Sequence, residues 1–123
     1  MPALSVAILG ASANPERYAH RALKSLQTHG HTPLPVHPAL KEIEGLPVFS
    51  ALSKLPRPVH TLTVYVRPEI STPLAEEILS LHPARVIFNP GTENPALKEV
   101  LQKAGIQVEE ACTLVMLSIG NFD

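Results

Sequence analysis

The chain has 123 residues, 45% of them hydrophobic, which is the length of one domain with enough apolar content for a core. Its formal net charge of -1, with Lys and Arg scattered, leaves no basic stripe for nucleic acid, and no apolar run approaches membrane-spanning length. Cys112 is the only cysteine and the six histidines are dispersed without paired ligand spacing, which argues against an intrachain disulfide and against a metal centre.

Met1-Pro2-Ala3 has no basic, apolar leader character, so a cytoplasmic protein is expected. The run Val6-Ala7-Ile8-Leu9 reads as a short buried strand that empties into the small-residue turn Gly10-Ala11-Ser12-Ala13-Asn14-Pro15. Ala19, Ala22, Leu23 and Leu26 then recur at the spacing of one helical face, and Gly30 stands where that helix needs a left-handed stop. A strand, a turn of small residues and a helix together make an anion site, because backbone N–H groups are approachable and the helix N-terminus is partially positive. The alternative at this point is that Gly10 serves only a tight turn.

Thr32 to Val36 reads as a second strand, with Pro33 and Pro35 suiting an edge position, and His37-Pro38 ends it. A loop through Lys41 leads to Ile43-Glu44-Gly45-Leu46-Pro47-Val48-Phe49. Ser50 is then placed to cap a short helix carrying Ala51, Leu52 and Leu55. Leu62 to Val66 is the third main strand, closed by Arg67-Pro68. The segment after it is expected to bury Ile70, Leu74, Ile78 and Leu81, capped by Ser71 or Thr72 with Pro73 in its first turn. Val86-Ile87-Phe88 is a fourth strand that gives way to Asn89-Pro90-Gly91. Asn94 caps a helix with Pro95 at its first position and Leu97, Val100, Leu101 and Ala104 on its apolar stripe; Gly105 stops it before a last strand, Ile106 to Val108.

Five strands with intervening helices predict an α/β fold, a doubly wound and mainly parallel sheet with helices on both faces. Right-handed crossovers place every strand-to-helix loop on one edge, so the loops after Leu9, Val36, Val66 and Phe88 converge on a single crevice. A dinucleotide site of the usual kind would show G-x-G-x-x-G and a carboxylate at the end of the second strand. Here Gly10 stands alone, and His37 with Lys41 replaces the carboxylate. That environment suits a phosphorylated ribose, which both NADP and coenzyme A possess.

The pattern Gly10-Ala11-Ser12 with Asn14-Pro15-x-Arg17, then Pro35-Val36-x-Pro38, Gly45-x-Pro47-Val48, Tyr65-Val66-Arg67 and Gly105-Ile106 with Cys112, resembles the small bacterial CoA-binding proteins. These are stand-alone, Rossmann-like CoA-binding domains, and the resemblance covers essentially the whole chain, residues 1–123, as one domain. The stretch Gly45 to Phe49 is also similar to the N-terminal domain of the succinyl-CoA synthetase α subunit, whose catalytic phosphohistidine lies in a second domain. The resemblance therefore implies binding rather than ligation. It implies that Gly10, Ala11 and Ser12 cradle the diphosphate through backbone N–H groups and the Ser12 hydroxyl, with Arg17 adding charge. It places His37, Pro38 and Lys41 at the adenosine end, Val66 and Arg67 alongside, and Asn89, Pro90 and Gly91 at the border of the pantetheine arm. Many members carry Asn where His37 stands.

Cys112 is read as a buried small residue, because Glu109 and Glu110 beside it would raise a thiol pKa. The apolar tail Leu114 to Ile119 is expected either to pack on the sheet or to form a homodimer interface. The sequence thus points to a protein that binds coenzyme A or an acyl-CoA without catalysis of its own. The alternatives are a small NADP-binding oxidoreductase or redox sensor, and a subunit that supplies a nucleotide site to a partner ligase.

Overall fold

Val6, Ala7 and Ile8 have no solvent exposure, and they form the middle of β1 (Ser5–Leu9) at the heart of the sheet. The computed structural model describes residues 3–123. β1 is followed by α1 (Tyr18–Thr28) and by β2 (Thr32–Val36). A small antiparallel hairpin, β3 (Glu42–Ile43) and β4 (Leu46–Pro47), then precedes a single 3-10 turn at Leu52–Lys54. β5 (Thr61–Val64) leads to α2 (Pro68–Ser71) and α3 (Ala75–Leu81), joined by a 3-10 turn at Thr72–Leu74. β6 (Arg85–Phe88), α4 (Pro95–Lys103), β7 (Gln107–Glu110) and α5 (Thr113–Ile119) complete the chain.

Five strands form one parallel sheet in the order β2-β1-β5-β6-β7, a Rossmann-like doubly wound arrangement. Strand alternation assigns the two faces. Ala7, Leu9, Leu62, Val64, Val86 and Phe88 pack with Ile78, Leu81, Leu97 and Leu101 of α3 and α4. Val6, Ile8 and Ile87 pack on the other face with Leu23 and Leu26 of α1 and Met116 and Leu117 of α5. Each fully buried Leu, Ile or Phe of this kind contributes about 1.5–3 kcal/mol relative to exposure. β2 is the edge strand that its prolines suggested. Thr32 donates its amide to Leu4 of the β1 segment and the Val36 carbonyl accepts from Gly10, so the intervening Pro33 and Pro35 face outward.

Several local expectations are corrected. β5 ends at Val64 and β7 runs on to Glu110. Ser50 caps nothing, since the helical segment shrinks to one turn that begins after Ala51. Helix formation after β5 begins directly at Pro68, with Arg67 at the cap position, and not at Ser71 or Thr72. Pro73 lacks the amide that would continue α2, so the chain passes through a 3-10 turn before α3 resumes. The hydroxyls of Ser71 and Thr72 instead each accept from Asn94 Nδ2 at 2.9 Å. Asn94 caps α4 as expected, its Oδ1 accepting the Leu97 amide at 3.1 Å. Val100 lies off the buried stripe, 43% exposed, because Leu97 and Leu101 alone seat that helix.

The tail packs against α1 through Met116 and Leu117 and leaves Val115 and Ile119 in solvent. The hairpin has no counterpart in the sequence reading. At its tip Glu44 (φ 51) and Gly45 (φ 76) both adopt left-handed backbone, as a two-residue hairpin turn demands. For a glutamate that conformation costs about 1–2 kcal/mol. Among the described residues no helix is long and apolar enough to cross a membrane, and no three metal-ligating side chains cluster.

Candidate ligand-binding crevice

The strand order reverses between β1 and β5, and the carboxyl ends of those strands open onto a cavity of about 880 Å³. Its wall contains Gly10, Ala11, Ser12 and Arg17 from the first loop and His37 and Pro38 after β2. Val66 and Arg67 follow from the loop after β5, and Pro90 and Thr92 from the loop after β6. The convergence expected from topology is therefore what the fold delivers. Leu52, Val66, Ile70 and Leu74 give the cavity an apolar side, while Arg17, Arg67 and His37 give it donors, with Glu77 as a carboxylate on its wall.

The turn after β1 has an ordered polarity. Gly10 and Ala11 both donate their amides to the Val36 carbonyl, at 3.2 and 3.1 Å, so these two N–H groups are spent on joining β1 to β2. That corrects the amide role implied for them: neither N–H is free to donate to a diphosphate. Four acceptors of the turn are occupied internally. Ser12 Oγ takes the Asn14 amide at 3.1 Å, Asn14 Oδ1 takes the Glu16 amide at 3.0 Å, the Asn14 carbonyl takes the Arg17 amide at 3.0 Å, and the Ser12 carbonyl lies 2.9 Å from His20 Nδ1. The amides of Ser12, Ala13, Tyr18 and Ala19 have no acceptor among the described residues. Together with the Ser12 hydroxyl proton they leave a donor-rich turn at the N-terminus of an 11-residue helix, the arrangement that holds anions.

His37 turns on itself. Its Nδ1 accepts the amides of Ala39 and Leu40 at 3.0 and 3.1 Å, which is the bond pattern of an asparagine-initiated turn. An asparagine side-chain oxygen would accept the same two amides. Because Nδ1 accepts, the ring proton sits on Nε2, and the imidazole presents a donor.

Not every candidate reaches the cavity. Lys41 is exposed and lies off the wall, with only its carbonyl engaged, by the Val48 amide at 3.0 Å. Asn14 and Pro15 shape the turn from its exposed side. Asn89 is 2% exposed and is consumed by structure: Nδ2 donates to Thr63 Oγ1 at 2.7 Å and to the Val64 carbonyl at 2.9 Å, and Oδ1 accepts the Thr113 amide at 2.9 Å. Gly91 is exposed beside it, its amide donated to Glu93 at 2.9 Å. Only Pro90 of that trio lines the opening.

The sequence reading missed Ile70, Leu74 and Glu77 as wall residues. Ile70 and Leu74, expected to be buried, are 44% exposed and half-buried, respectively: they lie in α2 and the 3-10 turn, before the part of the stripe, Ile78 and Leu81, that seats α3 on the sheet. An apolar stripe that begins ahead of α3 is the signal that could have found them.

Tyr65 also lines the cavity, but its hydroxyl is buried beside Thr63 and Thr113, which bond each other at 2.8 Å, and makes no hydrogen bond. Burial, outweighing the pull of those two hydroxyls, pushes its ionisation up to about 12. Tyr65→Phe is therefore expected to leave stability unchanged or raise it by about 1 kcal/mol in urea denaturation. A loss of that size would mean that the hydroxyl has a partner.

Known proteins share this architecture. The chain is 28% identical over 100 residues to the uncharacterized protein YneT of Bacillus subtilis, covering 81% of this chain and 74% of YneT. A crystal structure of an uncharacterized protein superposes with a TM-score of 0.93 at 41% identity, covering 99% of this chain and all of the other. A Thermus thermophilus protein follows at 0.89 and 32%, covering 98% of this chain and 91% of that one. An acetyl-coenzyme A synthetase of Candidatus Korarchaeum cryptofilum shares the fold over 87% of this chain and 25% of its own, with a TM-score of 0.74 at 20% identity. Residues 4–118 match the CoA binding domain, and with every strand of the sheet inside that span the chain belongs to the CoA binding domain family.

Proposed function

We propose that the protein is a cytoplasmic module that binds coenzyme A or an acyl-CoA in this crevice and catalyses no reaction of its own. The observation that carries the reading is the turn at Ser12 to Ala19, whose acceptors are turned inward and whose free donors lie beside Arg17. A diphosphate there would meet several amides and one guanidinium, and Glu16, the carboxylate of the turn, is not part of the cavity wall. Leu52, Val66, Ile70 and Leu74 offer a flat ring an apolar slot next to it. Arg67, largely exposed and only loosely paired with Glu69 at 3.8 Å, is the cation free to reach a 3′-phosphate. Lys41, outside the cavity, has no such part.

Isothermal titration tests this. CoA is expected to bind, and dephospho-CoA to bind more weakly by roughly one to two decades, since a charge-assisted bond to phosphate contributes about 1.5–3 kcal/mol. Arg67→Ala should weaken CoA while leaving dephospho-CoA nearly unchanged, and Lys41→Ala should change neither. Heat from NADPH with none from CoA or acetyl-CoA would replace this reading with the oxidoreductase one.

A further inference from the structure

His20 lies in the first turn of α1 and is 4% exposed, an unusual burial for an imidazole unless both nitrogens are satisfied. Its Nδ1 is 2.9 Å from the Ser12 carbonyl, which can only accept, so Nδ1 carries a proton and donates. Its Nε2 lies 3.3 Å from Glu44 Oε2, a contact that holds the ring when Nε2 carries a proton as well, while the other carboxylate oxygen of Glu44 takes Lys24 Nζ at 3.1 Å. Glu44 occupies a left-handed position at the hairpin tip that glycine or asparagine would fill without strain. A glutamate in that strained position is a second, independent sign that its carboxylate has a task. Ile43 of the same hairpin is buried with Leu23 and Leu26 of α1, so the hairpin is packed onto the helix that carries His20.

We propose that His20 is the positioning residue of the anion-binding turn and that Glu44 fixes its ring. This rests on the CoA reading above and extends it to residues that touch no ligand. In a trans peptide the Ser12 carbonyl and the Ala13 N–H point in opposite directions. Ser12 lies on the cavity wall, so holding its carbonyl against His20 keeps that oxygen from facing a phosphate there and points the Ala13 amide the opposite way. Without the tether the peptide is free to rotate and can present the Ser12 oxygen to the opening. A histidine that merely fills the core would need neither the turn nor the hairpin.

Three substitutions separate these roles. His20→Asn places a side-chain N–H₂ near Nδ1, where it can still reach Ser12. His20→Gln places its amide near Nε2, within reach of Glu44 alone, and His20→Leu keeps only bulk. With CoA as the titrant, His20→Asn is expected to stay within about threefold of the unmutated protein, and His20→Gln and His20→Leu to lose tenfold or more. Glu44→Ala, a surface change that leaves the core intact, should lose threefold or more and carries the test if a His20 variant does not fold. Equal affinities for His20→Asn and His20→Gln, or undiminished binding by Glu44→Ala, would overturn the assignment. Failure of the unmutated protein to bind CoA would instead overturn the function on which it rests.

Discussion

Replacing Asn89 by alanine is expected to cost the fold about 2–6 kcal/mol, a large fraction of a small domain's stability. One side chain joins the ends of β5 and β6 to the first residue of α5. Its loss strands the Thr113 amide, at a residue with no solvent exposure, and removes two donors from Thr63 and Val64. The stranded amide alone costs about 1–3 kcal/mol, and each lost bond contributes about 0.5–1.5 kcal/mol more. Asn89 also anchors the cavity wall, since its carbonyl accepts both the amide and the hydroxyl of Thr92 at 2.9 and 2.8 Å. Urea denaturation followed by circular dichroism reads the cost. A midpoint shift worth less than 1 kcal/mol would mean that water replaces the side chain in this junction.

Gly10→Ala should be nearly as damaging, for a reason unrelated to crowding a phosphate. Gly10 has φ +88, and a Cβ added there would stand 2.7 Å from Val66 Cγ1 and 3.2 and 3.3 Å from the Tyr65 carbonyl carbon and oxygen. The valine can yield, but the Tyr65 backbone is tied to Leu9 by a 2.9 Å bond. Left-handed strain of about 1–2 kcal/mol and overpacking of about 1–3 kcal/mol add to roughly 2–5 kcal/mol. Separation of β1 from β5 also displaces Val66 and Arg67, so CoA affinity should fall in the same variant. Gly91→Ala is the control: its φ is +90 but nothing lies within 4 Å of the added carbon, so only the strain remains. Equal destabilisation of the two variants would remove the close approach at Gly10 from the explanation.

The architecture was legible because buried parallel strands announce themselves as short apolar runs between turn formers. Val6 to Leu9, Leu62 to Val64 and Val86 to Phe88 each occupy the strand their residues indicated. Convergence of the loops followed from handedness alone. The hairpin was not legible, since two-residue strands carry no period and Glu44-Gly45 announces its turn only through one glycine. Hydrogen-bond allocation was the other hidden layer. Asn89 and Pro90 are neighbours in a loop of turn formers, yet one is an internal junction and the other a cavity wall. The amides of Gly10 and Ala11 stand in the motif expected to hold a diphosphate, and which carbonyl captures them depends on where Val36 lies after folding.

The outward placement of Pro33 and Pro35 governs how copies of this protein can associate. An open sheet edge ordinarily invites a foreign strand, because alternate residues offer it an N–H and a carbonyl. On β2 the residues so placed are both prolines, so that margin presents carbonyls and no backbone donor; the one at Pro35 is already taken by the Phe49 amide at 2.9 Å. A neighbour's strand would find half of its own hydrogen bonds unmet along this rim. Continuous cross-β stacking through β2 is thereby blocked, and growth of an aggregate from that side would first require the strand to leave the sheet.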